Sequence, residues 1–162
     1  MLNIKHLMRN AVLAAVYVVL TIGLAPISYG PVQVRVSEAM TLLAFYYPQY
    51  APGLVIGCLL ANIASPFGIT DMLVGTLATF FSVYGMRFCA NLFLASLLPV
   101  VCNGVMVGAE LIYLAALPPG MSGWAAMAYI GLGEFLSVSV LGIFFMKMLR
   151  KSSLLRTFFH SN

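Results

Sequence analysis

Long apolar runs with very few charges are the feature of this sequence that most restricts its possible folds. Of the 162 residues, 62% are hydrophobic and only 7% are charged, whereas a soluble domain carries roughly a quarter charged residues. Lipid offers the backbone no hydrogen bonds, so only helices and closed barrels can span it. Because the runs lack strict alternation, they favour helices, and the sequence predicts an all-α integral membrane protein.

Prolines, glycines and isolated charges divide the chain into six predicted transmembrane helices. The second is short, so it needs tilt, a buried position or help from the preceding loop to cross a bilayer. We expect a single membrane domain over residues 1–162, with helices at about residues 8–24, 37–47, 52–64, 71–86, 88–117 and 122–149.

The distribution of basic residues orients the predicted bundle. With both termini in the cytoplasm, seven of the eight Lys and Arg residues lie inside and only Arg35 lies outside. Loops rich in Lys and Arg stay on the cytoplasmic side of a membrane. This distribution favours an even number of spans and makes Arg35 the exception that needs an explanation.

Arg35 belongs to a stretch, PVQVRVS at residues 31–37, that alternates apolar and polar residues. Alternation is a strand signal, and a lone strand cannot face lipid. We therefore expect a strand-like first outer loop that acts as a lid. Its valines would face the helices, while Gln33 or Arg35 would face ligand, Glu110 or solvent.

Polar residues inside the predicted spans are the best candidates for function, because a charge there costs roughly 2.5–3.5 kcal/mol on insertion scales. Glu134 falls near mid-membrane, and Glu110 and Asn103 lie two turns apart on nearly one face of the fifth helix. In the predicted orientation the polar groups gather in the outer half, which predicts a pocket open to the outside; a channel would need polar lining throughout. The other candidate ligand-binding residues are Gln33, Arg35, Glu38, Asn62, Asp71, Tyr113, Trp124 and Tyr129.

Each acidic candidate outside the mid-membrane region also has a structural interpretation. Asp71 precedes an apolar run and suits a helix N-cap. Glu38 follows Ser37, itself a plausible N-cap, and its charge suits the positive end of a helix. Glu110 has Arg35 as an alternative, structural partner.

The amide and aromatic candidates have similar alternatives. Asn62 and Asn103 are able to bond neighbouring helices. Tyr113, Trp124 and Tyr129 fall near the outer helix ends, where aromatic residues commonly form an interfacial belt, although a flat ligand would also stack on such rings.

Small residues four apart allow helices to pack closely in lipid. For the two glycine pairs we expect packing inside the bundle, whereas the alanine pair on the first helix leaves an external partner helix open. The pairs are Gly53 with Gly57, Gly104 with Gly108, and Ala11 with Ala15.

Other functional classes lack support in the sequence. There is no phosphate-binding GxxxxGK[ST] loop, and both histidines, His6 and His160, lie at the chain ends. The three cysteines have no metal-ligand spacing, and most of the net charge of +4 sits at the termini. We therefore predict no enzyme activity, metal, cofactor or nucleic-acid partner.

Four stretches of the chain resemble the QueT family of queuosine-precursor transporters, which are substrate-binding S components of energy-coupling factor (ECF) transporters. The resemblance covers about residues 9–151 and is most specific in the first loop and around Asn103 and Glu110. The stretches read YGPVQVRVSEAMTLL, PGLVIGCLLANIASPFGITDMLVGTLAT, LPVVCNGVMVGAEL and GLGEF.

The resemblance implies that this chain captures a 7-deazaguanine such as preQ1, preQ0 or queuine from outside a prokaryotic plasma membrane. A separate ECF module, made of a transmembrane coupling protein and two ATPases, would drive uptake, and the whole S component would topple to turn its pocket inward. Ala11 and Ala15 match the family motif that meets the coupling protein.

The chemistry of a deazaguanine fits the candidate residues. One carboxylate accepts both the ring N–H and the exocyclic amine, so we expect Glu134 or Glu110 at that edge. Asn103 or a backbone N–H would donate to the keto group, and the second carboxylate would suit the aminomethyl cation of preQ1. An S component for another flat vitamin-like compound, or a membrane scaffold protein without a ligand, are the alternatives.

Overall fold

The computed structural model describes residues 4–30 and 33–152, and all regular secondary structure within these ranges is helical. Single turns at Ala25–Ser28, Pro48–Tyr50 and Met86–Phe88 lie between the longer helices. The longer helices are α1 (Ile4–Gly23), α2 (Val36–Tyr46), α3 (Ala51–Asn62), α4 (Ile69–Gly85), α5 (Leu92–Tyr113) and α6 (Gly123–Lys151).

Within the described ranges, four helices are long and apolar enough to cross a membrane, namely α1, α4 extended to Phe88, α5 and α6. This confirms an all-helical membrane protein. Helices α2 and α3 are shorter, so six membrane crossings remain a prediction. Two of these helices contain a segment that is not α-helical. Helix α2 is a 3-10 helix over Val36–Leu42, and α6 is a π-helix over Phe135–Gly142.

The strand predicted at residues 31–37 does not form in the part that the structure describes. Residues 33–35 have no regular secondary structure, and the 3-10 helix starts at Val36; residues 31 and 32 lie outside the described ranges. The alternation therefore has another cause: the polar side chains of Gln33 and Arg35 turn into the protein, where they are 2% and 1% exposed.

Helix α2 lies in the interior of the bundle, which explains how so short a helix is accommodated. All residues from Ser37 to Leu42 are buried. Helix α6 approaches closely at Gly142, where an added Cβ would lie 3.1 Å from the carbonyl oxygen of Ala39. The sequence left tilt, a buried position or help from the preceding loop as explanations for this short helix, and the structure shows the buried position.

The chain passes back and forth between two ends of the bundle. At the Asp71 end, Tyr29 donates a hydrogen bond of 2.6 Å to the Ala61 carbonyl. At the opposite, Tyr50 end, Arg9 donates to the Tyr50 hydroxyl at 3.2 Å. The chain connections after α1, α3 and α5 lie at the Asp71 end, where the candidate ligand-binding residues are concentrated.

Both glycine pairs pack inside the bundle, as predicted. A Cβ at Gly57 would lie 2.8 Å from the Tyr17 Cβ on α1, and a Cβ at Gly104 would lie 3.2 Å from the Met127 carbonyl oxygen on α6. Ala11 and Ala15, in contrast, are exposed on the surface of α1. The alanine pair thus remains available to a neighbour outside the bundle.

Candidate ligand-binding site

The four acidic residues of the chain are all buried, although they come from four different helices. Glu38 and Asp71 are fully enclosed, Glu134 is 1% exposed and Glu110 is 4% exposed. Arg35, also buried, lies among them. Since buried charges are normally paired or neutralised, the partners of each group decide what this cluster can do.

Arg35 and Asp71 form an ion pair with an Nη2–Oδ2 distance of 3.3 Å. The Arg35 Nε also donates to the Ser28 carbonyl oxygen at 3.3 Å. Burial lowers the pKa of Arg35, but the adjacent Asp71 outweighs that effect, so the pKa of this guanidinium is raised overall. The pair ties the first connection to the start of α4.

The structure corrects two interpretations drawn from the sequence, one for Asp71 and one for Arg35. Asp71 is not the N-cap of α4, because Gly68 occupies that position and Asp71 lies inside the first turn. Arg35 pairs with Asp71 rather than with Glu110. The sequence placed the three groups at one end of the bundle, but it named Glu110 as the structural partner of Arg35 and did not consider Asp71.

Glu38 is held by hydroxyl groups from two neighbouring helices. Its Oε1 accepts a short hydrogen bond from Tyr17 on α1 and one of 3.1 Å from Thr79 on α4. Its Oε2 has no hydrogen-bond partner within the described residues. Ser37 is not an N-cap either, since it lies inside the helix and its Oγ is 2.6 Å from the Thr21 Oγ1.

Asn62 connects the end of α3 with the start of α4. Its Nδ2 donates to the Asp71 carbonyl oxygen at 3.3 Å, while its Oδ1 is buried without a partner among the described residues. The close approach depends on Gly75, because a Cβ there would lie 2.6 Å from the Asn62 Nδ2. The Asn62 Nδ2 therefore has a structural role, whereas the Oδ1 remains available to accept a hydrogen bond.

Helices α5 and α6 contribute polar groups with fewer partners still. Both side-chain polar atoms of Asn103, both carboxyl oxygens of Glu110 and the Oε2 of Glu134 are buried without a hydrogen-bond partner in the described ranges. Glu134 lies close enough to Glu38 and Arg35 to interact with them electrostatically. A buried group left unsatisfied costs roughly 1–3 kcal/mol, so this concentration of unpaired polar atoms points to a bound ligand or water.

A cavity of about 120 Å³ lies beneath the connections at the Asp71 end. Gln33 lines it with its backbone in the left-handed region, at a φ of 47°, and Leu111, the neighbour of Glu110, forms part of the wall. Typical ligand pockets measure about 300–1,000 Å³. The cavity has room for a few waters, and among the candidate residues that the structure describes, Gln33 alone lines it.

The three aromatic candidates do not join the buried cluster. Tyr113 and Trp124 are each 83% exposed, and Tyr129 is 45% exposed. These outward-facing rings on α5 and α6 suit an aromatic belt at the membrane interface, which was the alternative to ligand stacking.

Sequence reasoning missed the groups that hold Glu38, namely Tyr17 and Thr79, together with Tyr29, whose ring lies 5.5 Å from the Arg35 guanidinium carbon. A signal for Tyr17 was present, because Thr21 follows it by four residues and places a second hydroxyl on the same face of α1.

Polar groups also occur toward the Tyr50 end, which the sequence had indicated to be almost purely apolar. Ser96 and Ser139 are bonded at 2.9 Å, and Asn10 accepts from the Gly53 amide at 2.7 Å. These groups satisfy one another across helices. The His6 Nδ1, also toward this end, is buried without a hydrogen-bond partner among the described residues.

Buried and partly unsatisfied carboxyl groups inside a bundle of apolar helices define a multi-pass membrane protein with an enclosed polar site, as solute transporters have. The family described as QueT transporter matches residues 7–151, and the chain belongs to this family. Membership of a transporter family implies that the chain is not itself an enzyme.

A 71-residue segment is 46% identical to the protein named Queuosine precursor transporter QueT from Lactococcus lactis subsp. cremoris (strain MG1363). The match covers 43% of this chain and 41% of that protein, so the chain spans about two fifths of the length of this relative. No solved structure matches the chain.

Proposed function

We propose that this chain is the substrate-capturing membrane subunit of an ECF-type importer and binds a 7-deazaguanine such as preQ1, preQ0 or queuine. The observation that carries the proposal is the set of buried carboxyl oxygens on Glu110 and Glu134 that have no partner within the described residues. Family membership and the name of the Lactococcus lactis relative support the class of ligand.

The chemistry of a deazaguanine complements these groups. A single carboxylate accepts two parallel hydrogen bonds from the ring N–H and the exocyclic amine. Glu134 or Glu110 would take that edge, and the Asn103 amide, whose two polar atoms are also unsatisfied among the described residues, would donate to the keto oxygen. Glu38 and the Asn62 oxygen supply further acceptors nearby.

The first connection would close the site. Gln33 borders the cavity, and the Arg35–Asp71 ion pair fastens the same segment to α4. With both termini in the cytoplasm of a prokaryotic cell, the Asp71 end faces outward. A ligand would then enter from outside when this segment opens.

Transport requires an energy source that this chain would obtain from the ECF module. The exposed Ala11 and Ala15 leave a shallow strip on α1, and small residues allow a neighbouring membrane helix to approach closely. We place the transmembrane coupling protein there, with its two ATPases on the cytoplasmic side. Toppling of the loaded subunit against this partner would turn the site inward.

A ligand panel against the purified protein tests the proposal. A ligand that binds only the folded state raises its unfolding temperature by mass action. We expect preQ1, preQ0 or queuine to raise the temperature at concentrations where guanine, thiamine and riboflavin do not. A response only to another heterocycle would support an S component of different specificity, and no response to any compound would favour a scaffold protein.

A further inference from the structure

The outer helices of the bundle leave a gap on one side. They pack in sequence, with α1 against α3, α3 against α4, α4 against α5 and α5 against α6. Among the described residues, α1 makes little contact with α6, although both pack against α2. The interior helix α2 is therefore accessible from the side, between α1 and α6.

An apolar cleft of about 360 Å³ lies in this gap. Leu13 and Val16 of α1 form one wall of this α1–α6 cleft, and Phe145 of α6 forms the other. Met40 of α2 lies at its floor. Val16 is 43% exposed, so the cleft opens toward the surrounding lipid, and its volume falls within the range of about 300–1,000 Å³ that is typical of ligand pockets.

On α1, the apolar face that lines the cleft leads to basic residues at the Tyr50 end. A second cavity of about 240 Å³ lies beside Lys5, Arg9 and Val12. Val12 precedes Val16 by four residues, so the two side chains are neighbours on one face of the helix. The two cavities therefore follow one another along α1, with the positive charge at one end.

The other wall of the α1–α6 cleft also has a basic residue at the Tyr50 end. Arg150 on α6 donates to the hydroxyl of Tyr46, the last residue of α2, at 3.2 Å, and its neighbour Leu149 lines the cleft. All four acidic side chains of the chain belong to the buried cluster, so none of them lies beside these basic groups. The charge at this end of the cleft is complementary to an anion.

The length of the cleft corresponds to one leaflet of a bilayer. Leu20 lines it eleven residues beyond Arg9, which is about 16 Å along a helix, and the hydrocarbon core of a bilayer is about 30 Å thick. An acyl chain anchored at one membrane surface extends this far, whereas a partner helix would cross the whole core. Leu20 also lies roughly 140° or more around α1 from Ala11 and Ala15, so this part of the cleft is separate from the exposed alanine strip.

We propose that the α1–α6 cleft binds one anionic phospholipid, with an acyl chain along its apolar walls and the phosphate beside Lys5 and Arg9. Phosphate forms charge-assisted hydrogen bonds with ammonium and guanidinium groups, and basic pockets between membrane helices bind anionic headgroups. This site is distinct from the acidic cluster, and its occupancy does not depend on the ligand that the cluster binds.

Two lipids with identical acyl chains separate the charge of the headgroup from the length of the chain. Dioleoyl phosphatidylglycerol is anionic, and dioleoyl phosphatidylcholine has no net charge. Native mass spectrometry of the purified full-length chain in detergent counts the bound lipids and gives a dissociation constant for each. We expect one phosphatidylglycerol to bind roughly fivefold or more tightly than phosphatidylcholine, and equal affinities would overturn the proposal.

A pair of charge variants locates the headgroup. Lys5→Gln and Arg87→Gln each remove one positive charge from an exposed side chain at the Tyr50 end, but only Lys5 lines one of the two cavities. We expect Lys5→Gln to weaken phosphatidylglycerol binding roughly fivefold and Arg87→Gln to leave it unchanged. An equal loss in both variants, or no loss in Lys5→Gln, would contradict a defined headgroup site.

A second pair of variants locates the acyl chain. Val16→Trp fills the α1–α6 cleft without a change of charge and should lower the affinity for phosphatidylglycerol, whereas Val105→Trp, at a position 54% exposed on α5, should not. Full lipid binding by Val16→Trp would overturn the proposal, and a simultaneous loss of co-purification with the ECF module would assign the cleft to a partner helix. If Val16→Trp does not fold, the comparison of Lys5→Gln with Arg87→Gln decides.

Discussion

At the scale of single residues, Arg35 and Asp71 form a buried ion pair, while carboxyl oxygens of Glu110 and Glu134 are buried without a partner among the described residues. The cost of burying charge in lipid singles out Glu110 and Glu134 from residue type and position alone. The partners depend on helix rotation and on the path of the first connection, which one sequence does not determine. This is why Asp71 was mistaken for an N-cap and Tyr17 was overlooked.

Arg35→Ala tests whether the buried ion pair is a structural contact. Removing one partner of a buried pair leaves the other charge uncompensated, which typically costs about 3–5 kcal/mol. We expect a clear fall in the unfolding temperature of the variant in detergent, measured without ligand.

Two further variants show whether a fall in the unfolding temperature of Arg35→Ala comes from the broken ion pair. The double variant Arg35→Ala with Asp71→Asn should recover much of the loss, because the isolated carboxylate is then gone. Arg87→Ala, an exposed arginine at the Tyr50 end, should have little effect. If Arg35→Ala unfolds at the wild-type temperature, the pair does not stabilise the fold, and Arg35 becomes a candidate for ligand contact.

At the scale of helices, close packing brings the polar side chains into one cluster. Glycines on α3 and α4 allow neighbouring groups to approach where any larger residue would collide. The sequence predicted the glycine pairs correctly from their four-residue spacing. It did not predict the irregular helix of α2, because no local pattern distinguishes a 3-10 segment enclosed on all sides from an ordinary helix.

Gly75→Ala tests the contact between α3 and α4. The added methyl would lie 2.6 Å from the Asn62 Nδ2 and 3.3 Å from the Asp71 Oδ1, so Asn62 must move. We expect a loss of stability of about 1–3 kcal/mol and weaker deazaguanine binding, measured by unfolding and by titration.

Gly23→Ala provides the control, because no atom lies within 4 Å of the position of its added Cβ. Gly23→Ala is also a glycine-to-alanine change in a helix, and without a crowded contact it should leave stability unchanged or raise it slightly. Similar behaviour of the two variants would mean that helix propensity, and not the crowded contact with Asn62, governs the response at Gly75.

At the scale of the whole molecule, composition predicted a membrane protein, because so few charges cannot keep 162 residues in water. The lack of strict alternation in its apolar runs then predicted helices. The position of α2 inside the bundle was not predictable in the same way, since a short apolar helix suits the interior and the lipid equally. The predicted strand is absent over residues 33–37, because alternation reports which side chains turn inward, and a strand is only one way to achieve that.

We predict that the exposed surface of α1 around Ala11 and Ala15 contacts the coupling protein in the assembled transporter. Ala11→Leu and Ala15→Leu would fill the shallow strip and keep a coupling protein at a distance. We expect both variants to lose co-purification with the ECF module while they retain deazaguanine binding. Val16→Leu, at an exposed position roughly 100° or more around the helix from both alanines, is the control and should assemble normally. Undiminished assembly of both alanine variants would place the interface elsewhere.

Titration of preQ1 into the purified chain and its Glu110→Gln and Glu134→Gln variants tests most directly whether the buried carboxyl groups recognise a deazaguanine. We expect saturable binding by the wild-type chain, a loss of roughly tenfold or more in at least one glutamine variant, and unchanged affinity in Ser139→Ala. Wild-type affinity in both glutamine variants would contradict the assignment of the site to these carboxyl groups.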